Sequence, residues 1–195
     1  MFVGAQVIEM KFKEFRTTVE MWAGRMNLAD DGPTFSMEMS GGEGGRVNCF
    51  IELGKWLIRQ SEHTLPAIAL GILDDHLSSF NKANDLLYVE KLKVLKEKLT
   101  NLLGEDGVLL YPSHPQVAPY HSHPIYTPFN FAYTALFNAL GFPVTQCPLG
   151  LSPTKGVPLG VQVVAAPYQD HLCLAVAREL EQRFGGWSNP PASLA

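Results

Sequence analysis

The chain has 195 residues, 46% hydrophobic and 17% charged, with a formal net charge of −4. This is enough length and apolar content for one domain with its own core. The acidic balance, with no basic stripe to neutralise phosphates, argues against nucleic acid as a partner. The three cysteines (Cys49, Cys147 and Cys173) are odd in number, far apart and outside any CxxC pair. That usage fits reduced thiols in a cytosolic compartment better than a disulfide framework or a zinc site.

The opening stretch, MFVGAQVIEMKFKEF, lacks a charged region followed by an apolar core and does not read as a signal peptide. The longest apolar candidate, residues 65–73, is well short of the ~18 residues of a spanning helix. Phe12, Phe15, Val19, Trp22 and Met26 recur at spacings of three and four, which predicts a helix carrying them on one face. Residues 30–45, with DDGP and SGGEGG, predict a loop. Residues 50–80 predict two apolar helical runs broken near Thr64 and Leu65, because Pro66 disfavours helix in the residue before it. A longer helix follows, with Leu86, Val89, Leu92, Leu95, Leu99 and Leu102 inward and Lys91, Lys93, Lys96 and Lys98 outward, stopping at Gly104.

The last third alternates strand and helix. Residues 108–111 predict a short buried strand, 112–128 a Pro- and His-rich connection without a helical or strand period, and 130–140 a helix ending at Gly141. FPVTQCP is a second strand, LSPTKGVP a turn, and residues 160–165 a third strand. A final helix follows, capped by Asp170, with Leu172, Val176, Leu180 and Phe184 aligned and Gly185-Gly186 ending it. This order predicts an α/β layer architecture.

Several short motifs invite a catalytic reading. SGGEGG at 40–45 is followed by Arg46-Val47-Asn48 instead of the Gly-Lys-Ser/Thr of a phosphate loop, and there is no G-x-S-x-G elbow, so it reads as a flexible loop. Ser79 to Lys82 and Ser152 to Lys155 have the S-x-x-K spacing at which an amine can take a hydroxyl proton, but the second lies in turn chemistry and the first near the end of a helical run. His114, His121 and His123 could converge on a metal, yet 112–128 holds no Cys, Asp or Glu to complete a shell. Asp74 and Asp75 are adjacent and point to different sides of a helix, unlike a glycosidase pair.

The residues of the last third resemble the closing region of the amidase signature family. The carriers are the D-x-L-L-x-P strand at 106–112, the P-F-N at 128–130, the G-x-P at 141–143, the P-x-G-x-Q at 158–162 and the L-E at 180–181. The match is most specific over about 102–187 and extends more weakly to most of the chain. It implies that residues 1–195 are the C-terminal part of an amidase domain, whose fold is a mixed sheet flanked by helices. It also implies amide hydrolysis by a Ser–Ser–Lys triad with no metal or organic cofactor. No triad residue is identifiable in the chain, and over half of a family domain is expected before Met1.

The resemblance is strongest to the fatty-acid amide hydrolases within that family. It implies that Phe131 and Ala135 face an acyl channel, that Tyr168 lies at the channel or its mouth, and that Trp56 and Leu57 belong to a membrane-docking cap within 50–80. Apolar residues at helical spacing are also the ordinary content of a core. The implied partners are a fatty-acid amide or other acyl amide in the intact enzyme, a peripheral membrane surface and a second copy in a homodimer. The implied location is intracellular, cytosolic or peripherally membrane-bound. The reading favoured is a segment of a fatty-acid amide hydrolase, inactive alone. The alternatives are a non-catalytic acyl-binding or interaction module and a small hydrolase using a local Ser–Lys pair.

Overall fold

A computed structural model describes residues 4–28, 33–42, 45–77 and 82–189. A 3-10 turn, Lys13–Thr17, leads into α1 (Thr18–Asn27). The short α2 (Phe35–Glu38), α3 (Cys49–Leu57), α4 (Leu65–Leu77) and the long α5 (Lys82–Leu103) follow. Then come β1 (Val108–Pro112), a 3-10 turn at His123–Tyr126, α6 (Ala132–Leu140), β2 (Val144–Leu151), β3 (Pro158–Ala165) and α7 (Asp170–Phe184). The helix-rich first half and the β-α-β-β-α second half follow the expected order. Two departures occur: the 3-10 turn interrupts a connection predicted to be irregular throughout, and α2 falls inside residues 30–45, predicted as a loop, where Thr34 O accepts from the N–H groups of Met37 and Glu38.

The three strands form one antiparallel sheet in the order β1-β3-β2. β2 and β3 make a hairpin, closed by Ser152 N–H donating to Val157 O and Gly156 N–H donating to Ser152 O. Side chains alternate across this sheet, as strand geometry requires. On one face, Leu109, Tyr111 and Val164 pack on Leu92, Leu95, Leu99, Leu136, Phe137 and Leu140 from α5 and α6. On the other, Cys147, Val163 and Ala165 pack on Cys173 and Leu180 of α7. The result is helix, sheet and helix in layers. β3 is central and apolar on both faces, which is why Val163, Val164 and Ala165 are fully buried.

The turns follow from local chemistry. Asn48 caps α3, its side-chain oxygen accepting from the N–H groups of Phe50 and Ile51. Gly141 ends α6 at φ +68, the left-handed conformation a side chain would resist, and turns the chain straight into β2. Gly160 is needed for a different reason. A Cβ there would run into the Gln146 side chain and sit 2.8 Å from the Cys147 carbonyl oxygen.

Three expectations need correcting. The buried face of α1 is Thr18, Met21 and Gly24; Val19 and Trp22 are only partly buried and Met26 is exposed. The cause is a close crossing with α5: a Cβ on Gly24 would lie 3.0 Å from the Asp85 carbonyl oxygen, so position 24 faces that helix without a side chain. On α5 the inward row is Leu92, Leu95, Leu99 and Leu103, whereas Leu86 and Leu102 are exposed. Leu103 continues the three-and-four spacing where Leu102 falls out of phase. Asp170 does not cap α7; it is the helix's first residue, behind Gln169, and no side chain makes a cap hydrogen bond there. Its carboxylate still lies in the first turn, where the helix dipole favours it.

Candidate functional site

The polar and aromatic side chains of the second half gather where β1 ends and α6 begins. Gln162 organises this corner. It is buried in the middle of β3, and its Nε2 donates to Pro112 O at 3.0 Å and to Tyr133 O at 3.1 Å. One side chain thus joins the central strand, the end of the edge strand and the first turn of α6. Beside it, Ser113 Oγ donates to Gln146 Oε1, linking the residue after β1 to β2. Gln162 also sits in register with both Tyr111 and Gln146, so the three strands share a polar rung inside an otherwise apolar sheet.

An aromatic cluster surrounds the corner. Tyr111 stacks on Tyr133 with centroids 5.4 Å apart and meets Phe137 and Phe15 edge-on. Burial, and after it the neighbouring Tyr133, raises the Tyr111 hydroxyl above its ordinary pKa and keeps it neutral. Phe131, immediately before α6, meets the Trp22 ring edge-on at 4.9 Å. The carbonyl oxygen of Phe131 accepts from the N–H groups of Thr134 and Ala135, which fixes the first turn. Next to Phe131, the Asn130 Nδ2 is buried and has no acceptor among the described residues. A buried donor in that condition calls for a partner.

The residues carried over from the resemblance divide in two. Phe131 and Ala135 are one turn apart, but Phe131 is 37% exposed and Ala135 is buried behind it. Tyr168 lies on the β3–α7 connection at φ +67, almost wholly exposed. Trp56 and Leu57 end α3 at a different part of the molecule, within a run of exposed apolar side chains that includes Phe50, Ile51 and Ile58. Glu52, one turn before Trp56, accepts from Lys55 Nζ at 2.7 Å and from Ser61 Oγ at 2.6 Å, which ties α3 to the segment that follows it. Those two donors hold the Glu52 carboxyl below its ordinary pKa.

The other motifs have structural explanations. Ser152 is buried in the hairpin turn, its Oγ 3.2 Å from Thr154 Oγ1, and what Lys155 gives it is a backbone N–H at 3.4 Å. Ser79 lies outside the described residues, as do Asp30 and part of SGGEGG. Ser40 Oγ donates to the Met37 and Gly45 carbonyls, which makes the near end of that loop a turn. His114 Nδ1 pairs with the backbone of Gln116, while His121 and His123 are exposed. No group of three or more His, Cys, Asp or Glu able to hold a metal occurs among the described residues. Asp74 Oδ2 accepts from Phe35 N–H at 2.8 Å and ties α4 to α2. Burial raises the Cys147 and Cys173 thiols above their ordinary pKa, which disfavours thiolates.

Sequence reasoning named Gln162 and Asn130 only as parts of family motifs and missed their structural roles, together with the Trp22–Phe131 contact. A signal for the first was present: a glutamine inside the apolar run of β3 must find partners if buried.

Residues 55–174 match the family described as Amidase. The chain belongs to the amidase family. It is 47% identical over 192 residues to human fatty-acid amide hydrolase 2, covering 96% of this chain and 36% of that protein. It is 46% identical to fatty-acid amide hydrolase 2-A of Danio rerio, covering 96% and 35% respectively. The amidase chain thus spans about a third of the length of these curated relatives. Its fold is also that of 6-aminohexanoate cyclic dimer hydrolase complexed with substrate, with a TM-score of 0.61, 22% identity, and 99% of this chain matching 40% of that one. No described helix of the chain is long and apolar enough to cross a membrane.

Proposed function

We propose that this amidase chain serves in the hydrolysis of fatty-acid amides to a fatty acid and an amine, as the part of the enzyme that supplies sheet and acyl-channel wall. The observation that carries the reading is the 47% identity to a fatty-acid amide hydrolase, sustained over 96% of the chain. In this reading the Ser–Ser–Lys machinery belongs to the rest of the family's length, because the serine–lysine pair at 152–155, which lies among the described residues, has no reactive arrangement. The serine of the 152–155 pair is buried in a turn.

The geometry supports specific roles. Phe131 presents a partly open ring, braced by Trp22, at the mouth of a corner that is otherwise aromatic. An acyl chain would gain apolar contact there, at about 0.8 kcal/mol per methylene buried. Ala135, one turn further along α6, is small and buried, and Tyr168 is exposed on the connection that follows the buried end of β3. The exposed apolar residues around Trp56 and Leu57 provide the surface through which the enzyme meets a membrane, the source of its lipid substrate.

The test is a chimera in which the matched third of human fatty-acid amide hydrolase 2 is replaced by residues 1–195. The expected result is hydrolysis of a long-chain fatty-acid amide. Phe131→Arg should raise KM for long acyl chains far more than for short ones. Equal effects on both, or a chimera that folds and hydrolyses no acyl amide, would refute the assignment.

A further inference from the structure

We infer that Trp22 is a positioning residue that sets acyl-chain-length preference, by holding the ring of Phe131 in the orientation that a long acyl chain meets. The inference rests on the reading of Phe131 as channel wall, and it adds the residue through which that wall discriminates between substrates.

The backbone of Phe131 is fixed more firmly than its ring. Its carbonyl oxygen accepts from the N–H groups of Thr134 and Ala135 and from Thr134 Oγ1, so the first turn of α6 locks the peptide. Phe131 stands just before the helix, however, and is 37% exposed, so the core does not enclose its side chain. The Trp22 indole meets the ring edge-on, with centroids 4.9 Å apart and planes at 70°. That is an arrangement which aromatic quadrupoles favour. Trp22 is itself held by the packing of its helix. α1 packs against both α5 and α6. Met21 beside it is fully buried, Gly24 sits against the Asp85 backbone, and Asn27 Nδ2 donates to Asp85 Oδ2 at 3.1 Å. These contacts fix the rotation of α1 about its axis, and with it the direction in which residue 22 points.

A wall ring held in one orientation gives a long acyl chain its apolar contact with no ordering cost at the moment of binding. A ring free to turn must be ordered by the substrate, and part of the contact energy is lost to that. A short acyl chain, ending before the ring, is indifferent to both conditions. The Trp22–Phe131 pair therefore acts on the affinity for long chains and leaves the chemical step alone.

The experiment uses the chimera of human fatty-acid amide hydrolase 2 that carries residues 1–195, assayed with one long-chain and one short-chain fatty-acid amide. Trp22→Ala should lower the long-to-short ratio of kcat/KM about threefold to tenfold, the range set by the strength of edge-on aromatic pairs. The loss should fall on KM for the long substrate, with kcat kept. Trp22→Phe, which keeps an aromatic edge, should restore most of the ratio, and Trp22→Leu should not. In a Phe131→Ala background, Trp22→Ala should leave the ratio unchanged, because the ring it positions is gone. Activity on the short substrate establishes that each variant is folded. The proposal is overturned if Trp22→Ala lowers both substrates equally, if its effect on the ratio persists in the Phe131→Ala background, or if Trp22→Leu restores the ratio as well as Trp22→Phe. A parent chimera that hydrolyses the long-chain amide, with variants behaving in any of those ways, leaves the functional reading standing. A folded parent chimera that hydrolyses no acyl amide refutes that reading and this inference together.

Discussion

Replacing Gln162 tests whether one buried polar side chain holds β1, β3 and α6 together. Gln162→Leu keeps the size and removes two donated hydrogen bonds, to Pro112 O and Tyr133 O. Each bond contributes about 1 kcal/mol net, and stranding the acceptors adds about 1 kcal/mol more, for a loss of about 3 kcal/mol. With a urea slope of about 2 kcal/mol per molar, the unfolding midpoint should fall by about 1.5 M. Pulse proteolysis in urea measures this on the full chain. Hydrogen exchange should quicken in 108–112 and 132–140 and stay unchanged in α3. Gln162→Glu is the sharper variant, because its carboxylate would face two carbonyl oxygens with no donor. Burial and that acceptor environment raise the folded-state pKa of the new carboxyl above about 4.3. Its destabilisation is therefore complete above the raised value and is relieved as pH falls through it. A midpoint shift below about 0.3 M for Gln162→Leu, or no pH dependence for Gln162→Glu, would refute the reasoning.

Gly160→Ala should cost about 1–3 kcal/mol in the same urea assay, because the added methyl meets the Gln146 side chain and the Cys147 carbonyl. Pairing it with Gln146→Ala should recover only part of the loss, since the carbonyl is backbone; full recovery would mean that only the side-chain clash mattered. The Glu52 carboxyl has a lowered folded-state pKa, so its contribution is full above the unfolded value of about 4.3 and fades as pH drops through the lower folded one. Glu52→Gln should accordingly speed proteolysis within 58–64 near neutral pH, with the gap from the parent closing under acid. A gap that persists unchanged at low pH would show that the carboxylate charge is not what anchors Ser61 and Lys55.

Much of the molecule was legible because its elements declare themselves locally. Gly104, Gly141 and Gly185 mark helix ends where a left-handed residue is needed, and Pro66 marks the start of α4. β1, α6 and α7 therefore fall where periodicity and punctuation put them. Two of the errors were errors of phase. A three-and-four spacing identifies a helix, but neighbouring residues such as Leu102 and Leu103 both satisfy it until a partner surface chooses between them.

The candidate site residues were less legible. Phe131, Ala135 and Tyr168 came from a family resemblance, and their accessibility, open for Phe131 and Tyr168 and closed for Ala135, became visible only in the fold. Gln162 and Asn130 stood in family motifs and Trp22 on a predicted helix face, but none of those patterns shows what they do, because their roles depend on residues distant in sequence. The Gln162–Pro112 bond spans 50 positions.

By itself, then, the sequence determined the family and the order of all the strands and of every helix but α2, since those depend on backbone preferences and apolar period over a few residues. The tertiary structure decided which helix faces are buried, how one glutamine joins three elements, and which two strands stand at the edges of the sheet. Those are properties of surfaces brought together from far apart, and no local pattern encodes them.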